Sequence, residues 1–132
     1  DVVTRNLATL SRMGCQIDLD DFGTGQTSIT AIRRLSINRL KIDRSFVTRL
    51  NDDKEQQKMV EAILTMAERL GLETVAEGVE TVGEHARASQ LGCTHIQGFA
   101  VSRPLPLEKT SEWIAQYRAK LERTPEIRRN AG

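Results

Sequence analysis

A joint that recurs three times constrains this chain more than anything else: an amphipathic helical stretch, a glycine, one residue and a strand-like run, at Gly14, Gly71 and Gly92. Val3, Leu7 and Leu10 mark the first helix face, and residues 15–20 then alternate like a strand. A glycine-rich turn, 22–25, follows, after which Ser28 is placed to cap a short helix burying Ile29, Ile32 and Leu35. Residues 39–43 read as a second strand. The longest helix is expected over about 53–70, capped by Asp53 with Gln56 and carrying Val60, Ile63, Leu64 and Ala67 on its core stripe. A third strand covers 73–77, Thr81 and Glu84 form a T-x-x-E capping box, and a fourth strand covers 94–97. A last helix presents Trp113, Ile114, Tyr117 and Leu121, and the tail over 124–132 is expected to fray.

Four strands alternating with helices define an α/β chain with a parallel sheet and right-handed crossovers. Periodicity alone leaves two forms open, an open doubly wound sheet or part of a closed barrel. In both, ligands meet the carboxyl ends of the strands.

Charge narrows the partners. Nineteen Lys and Arg balance eighteen Asp and Glu, for a net charge of +1, so the basic footprint needed to hold a DNA or RNA polymer is absent. No apolar run is long enough to span a bilayer and none follows a basic start, which makes the cytoplasm the expected compartment. Cys15 and Cys93 form no Cys-x-x-Cys pair and are expected to be buried thiols. The chain opens at Asp1, without methionine and directly in a helical pattern, as expected of a piece of a longer protein.

Each strand end carries chemistry: Asp20 and Asp21 on the first, Lys41 and Asp43 on the second, Glu77 on the third, Gln97 on the fourth. Adjacent carboxylates repel unless a cation lies between them, and hard divalent ions such as Mg²⁺ or Mn²⁺ prefer such oxygens. In regular pleat Asp20 and Asp21 would point to opposite faces, so the following Gly23 to Gly25 turn is expected to re-aim Asp21. Two ions about 3.5–4 Å apart would suit phosphodiester hydrolysis, with Lys41 offsetting phosphate charge or orienting the water. His85, within a helix, and His95, near a strand start, are assigned ordinary structural roles.

These residues resemble the EAL family in order and spacing: Asp20-Asp-Phe-Gly-Thr-Gly25, Leu40-Lys-Ile-Asp43 with Ser45-Phe-Val47, Val75-Ala-Glu-Gly-Val-Glu-Thr81, and Gln97-Gly98 with Ser102-Arg-Pro104. The resemblance covers about residues 1–121, and residues 1–123 are read as the C-terminal half of a TIM-like β/α barrel. It implies a Mg²⁺- or Mn²⁺-dependent phosphodiesterase that opens cyclic di-GMP to linear pGpG. By the same resemblance, Asp20, Asp21 and Glu77 are metal ligands, and Lys41, Glu77 and Gln97 are catalytic. Glu80 holds the loop after Asp21, and Asp43, Ser102 and Pro104 line the substrate. Gln26 and Thr27 depart from the family motif, which commonly has an aromatic residue and a serine there. The Glu-Ala-Leu strand and three more strands should precede Asp1.

A half barrel would expose two sheet edges and an apolar interior, so self-association or pairing with the missing half is expected. Dimerisation through the helix after Asp21 is common in the family, with Ile32 as the expected contact. Three acids are too few to hold two hexacoordinate ions tightly, so the isolated chain is expected to be inactive. The alternative is a non-catalytic EAL module acting as a cyclic di-GMP receptor or protein-interaction regulator. A phosphate-accepting receiver domain fits less well, because it needs a phosphoacceptor strand between the acid pair and the lysine.

Overall fold

The structure, a computed structural model, describes residues 1–25 and 29–123. The elements in chain order are α1 (Val2–Arg12), β1 (Asp18–Phe22), α2 (Ile29–Arg34), β2 (Arg39–Ile42), α3 (Arg44–Val47), α4 (Lys54–Arg69), β3 (Glu73–Ala76), α5 (Val82–Leu91), β4 (His95–Ile96) and α6 (Leu107–Arg123). The strands pair in parallel in the order β1-β2-β3-β4. Parallel neighbours cannot be joined by a hairpin, so each connection climbs over one face of the sheet through a helix. The alternation read from the sequence is therefore the observed architecture, that of a TIM-like β/α barrel with four of its strands.

One face of the sheet carries the core. Leu40 and Ile42 of β2 are fully buried, and they pack with Val47, Val60, Leu64, Ala67 and Ala88 from the helices. Burying a side chain of this size contributes about 1.5–3 kcal/mol, so truncating Leu40 to alanine would cost roughly 2–5 kcal/mol. The helix caps act as expected: Asp53 accepts from Gln56 N at 3.1 Å, and the Thr81–Glu84 capping box closes in both directions. Gly71 sits at φ 71°, where a side chain would strain the backbone, and β3 starts two residues later. After Gly14 and Gly92 the link to the strand is longer than one residue.

Alternation along β2 sends Arg39 and Lys41 to the other face. Register places Asp18 and Glu73 beside Arg39, Val75 beside Lys41, and His95 beside Val75. The inner face is thus charged, which corrects the expected apolar interior. Arg39 grips Asp18 through two hydrogen bonds of 2.8 and 2.9 Å, and His95 stands 3.8 Å from Glu73.

Other expectations need adjusting. Cys93 is buried, but Cys15 is exposed because β1 begins only at Asp18 and leaves Cys15 in the irregular segment before it. Ile32 is buried but Ile29 is 59% exposed, so α2 presents a narrower apolar face than expected. The longest helix is α6 with 17 residues, one more than α4. The short α3 was not anticipated, since four residues are too few to show a helical period. Ser28, Gln26, Thr27 and the tail over 124–132 lie outside the described residues. No helix among the described residues is long and apolar enough to cross a membrane.

Candidate active site at the carboxyl ends of the strands

The site begins with an irregularity in β1. Leu19 pairs with Leu40 and Phe22 with Ile42, so three steps along β1 match two along β2. The extra residue makes a bulge, and Asp21 adopts φ 54°, left-handed for a residue with a side chain. The bulge cancels the parity of the pleat: Phe22 returns to the core while Asp20 and Asp21 both reach the rim. The re-aiming assigned to the glycine turn is therefore done by Asp21 itself. Thr24 helps to hold it, donating from N at 3.3 Å and from Oγ1 at 2.8 Å to the Asp21 carbonyl.

Glu77 completes the cluster from the residue after β3. Carboxylate oxygens of Asp20, Asp21 and Glu77 all lie within 4.8 Å of one another. Glu77 is also bonded to Lys41, Nζ to Oε1 at 2.8 Å, and its own N–H donates to the Ile42 carbonyl at 3.1 Å. The hydrogen bond to Glu77 raises the Lys41 pKa against the opposing effect of burial, and the charges of Glu77 and Asp20 act in the same direction. Three carboxylates around one ammonium leave a local excess of negative charge. Such a set of oxygen donors fits a hard divalent cation.

The remaining predicted site residues stand around this cluster. Asp43 caps α3, accepting from Ser45 N at 2.8 Å, and its hydrogen bonds with Ser45 lower its pKa. Glu80 pairs with Arg44 at 2.7 Å. Gln97 is exposed, and its backbone links the rim by accepting from Val79 N at 3.1 Å. Gly98 beside it lies so close to the Val79 backbone that a Cβ would fall 2.2 Å from the Val79 carbonyl oxygen. Ser102 Oγ donates to the Arg103 carbonyl at 2.8 Å, and Pro104 is exposed. Between them, Arg103 lies 4.4 Å over the ring of Phe99. Neither histidine joins the cluster; burial lowers the pKa of His85.

Two features escaped the sequence reading. The Asp18–Arg39 pair was legible, because each residue lies two positions before a site residue, Asp20 and Lys41, and so shares its face of the strand. Glu84 was legible only as a capping residue. Its carboxylate is in fact buried and also reaches Arg49 N, 35 positions away.

A parallel β/α sheet with an acid cluster and a lysine at its carboxyl rim defines part of a barrel domain with an oxygen-donor site. More narrowly, the chain belongs to the EAL domain family, whose model matches residues 1–104. It is 44% identical over 109 residues to the bifunctional diguanylate cyclase/cyclic di-GMP phosphodiesterase MucR of Pseudomonas aeruginosa, covering 83% of this chain and 16% of that protein. The crystal structure of the EAL domain of Mycobacterium smegmatis DcpA superposes with a TM-score of 0.80 at 35% identity, covering 86% of this chain and 51% of that one. Klebsiella pneumoniae BlrP1, described as a manganese/cy-diGMP complex, matches with a TM-score of 0.71 at 32% identity, over 79% of this chain and 26% of that one. The chain thus spans only a minor part of the curated relatives and about half of a solved EAL domain.

Proposed function

We propose that this chain is the C-terminal part of a metal-dependent phosphodiesterase that hydrolyses cyclic di-GMP to linear pGpG. The convergence of Asp20, Asp21 and Glu77 within 4.8 Å, with Lys41 bonded to Glu77, carries the proposal. The relatives named for cyclic di-GMP and manganese supply the ligand and the class of ion. Residues 1–123 form this chain's part of the domain.

Asp20, Asp21 and Glu77 would hold Mg²⁺ or Mn²⁺, which when bound would supply charge stabilisation and a more acidic water. Glu77 is placed to take the proton from the attacking water, with Lys41 holding its carboxylate in orientation. The water oxygen bonds to phosphorus, the ester bond to the 3′ oxygen breaks, and that oxygen leaves as a hydroxyl by taking a proton from solvent, while Glu77 returns its own proton to solvent. Lys41 also offsets charge on the phosphate. Asp43, Gln97, Ser102 and Pro104 would line the dinucleotide along the same rim, and Glu80 would keep the surrounding loops in place. The compartment is the cytoplasm.

Among the described residues, β1 and β4 each have one edge without a strand partner. The other half of the barrel, or a second copy in the isolated chain, covers these edges and the charged inner face. A separate dimer contact through α2 would use the exposed Ile29 rather than the buried Ile32. With three acidic ligands the isolated chain is inactive.

The test is cyclic di-GMP hydrolysis with Mg²⁺ or Mn²⁺ by this chain beside a version extended upstream. Activity in the longer protein alone, abolished by Glu77→Ala, supports the proposal. Binding without hydrolysis in the longer protein would make it a receptor instead.

A further inference from the structure

Glu84 is the one buried carboxylate among the described residues, at 5% exposure. A capping box requires it to accept from Thr81 N, which it does at 3.3 Å, but two further bonds go beyond capping. Oε2 accepts from Glu80 N at 2.9 Å, and Oε1 accepts from Arg49 N at 3.0 Å across 35 residues of chain. Arg49 sits at φ 62°, a left-handed position that a side chain rarely takes, and its carbonyl accepts from Asp52 N and Asp53 N at the entrance to α4. A single carboxylate therefore ties the loop after β3 to the turn between α3 and α4.

That loop carries Glu77. Its N–H is held by Ile42, Val79 is held by Gln97 and Ala100, and Glu80 is held by its N–H to Glu84 and by its side chain to Arg44. The Glu84 anchor is thus the last of a continuous set of ties, three residues from a member of the acid cluster. We propose that Glu84 is a positioning residue that sets where the Glu77 carboxylate stands relative to Asp20, Asp21 and Lys41. Its acidic group is required, not merely its helix-capping capacity: only a carboxylate offers two acceptor oxygens to N–H donors on both sides. The inference rests on the metal-site reading above for one of its two readouts.

The first readout is Mn²⁺ affinity of this chain, followed by electron paramagnetic resonance, in wild type, Glu84→Ala, Glu84→Gln and Asp53→Ala. Loss of the positioning group is expected to weaken Mn²⁺ binding about tenfold or more in Glu84→Ala, as for other groups that orient metal ligands. Glu84→Gln keeps the size and one oxygen but turns an amide toward Arg49 N, so it falls between, and it decides the matter if the alanine variant does not fold. Asp53→Ala removes the cap from α4 and binds Mn²⁺ like wild type, which separates positioning from general weakening. The second readout is the nuclear Overhauser contact between Lys41 Hε and Glu77 Hγ in metal-free protein, expected to fade in both Glu84 variants. Unchanged Mn²⁺ affinity and an unchanged contact in Glu84→Gln would overturn the proposal. Should wild type hold no Mn²⁺, the metal-site reading fails by itself, and the Lys41–Glu77 contact alone decides the role of Glu84: fading upholds it, persistence ends it.

Discussion

Lys41 Nζ lies 2.8 Å from Glu77 Oε1 and joins the second strand to the residue just past the third. Register aligns Lys41 with Val75, so the lysine reaches one same-face position further up the neighbouring strand to find Glu77. Both side chains are about one-fifth exposed, enough to shelter the pair while leaving it open at the rim.

Replacing Lys41 with methionine keeps the aliphatic stem and deletes the charge. In the upstream-extended protein, kcat for cyclic di-GMP is expected to fall by about 10²-fold or more, as when one electrostatic donor is removed. The folded pKa of Lys41 is raised, so its contribution to stability is full below the ordinary lysine value of about 10.4 and is lost as pH rises through the higher folded value. Thermal melts of this chain between pH 8 and 12 should show an alkaline decline that is smaller in Lys41→Met.

Asp21 combines a ligand with backbone strain. Glycine there relieves the left-handed conformation and the repulsion from Asp20, and Asp21→Gly is expected to stabilise this chain by about 0.5–1 kcal/mol in urea. The same variant should bind Mn²⁺ markedly more weakly. A substitution that destabilised the fold would show that the bulge is not strained.

Three acids have lowered pKa values: Asp18 through its hydrogen bond to Arg39, Asp43 through Ser45, and Glu84 because three backbone N–H groups outweigh the burial that would raise it. Depressed carboxylates stabilise the fold above their unfolded values, and that stability is lost as pH falls through the folded ones. Urea unfolding should therefore show decreasing stability below about pH 4.3. The decline should be shallower in Glu84→Gln, which no longer titrates there.

The cysteines should differ in reactivity. Cys15 is exposed, whereas burial raises the pKa of Cys93. A thiol reagent at neutral pH is expected to label Cys15 rapidly in the native chain and Cys93 only on unfolding. Equal native rates would contradict the burial of Cys93.

Local rules reached far along this chain. The caps at Asp53 and Thr81, the core stripe of α4 and the parallel β/α alternation depend on spacing between near neighbours, and all were legible. So were the acids and the lysine at the strand ends, because topology dictates that a parallel sheet gathers its strand ends on one rim. Where α3 lies, and whether Cys15 is covered, depended on where the strands start and stop, which periodicity leaves loose by a few residues.

The residues themselves held the charged inner face that the expected apolar interior overlooked, since Asp18 and Asp20, like Arg39 and Lys41, lie two apart on a strand and alternation places each pair on one side. Only the tertiary structure decided how Asp20 and Asp21 converge, because the means is one extra residue in β1 measured against β2, a comparison between strands that no single segment contains. Only the tertiary structure, likewise, joined Glu84 to Arg49. Their hydrogen bond forms across 35 intervening residues, after α4 and β3 have packed and brought two distant backbone turns to the same carboxylate.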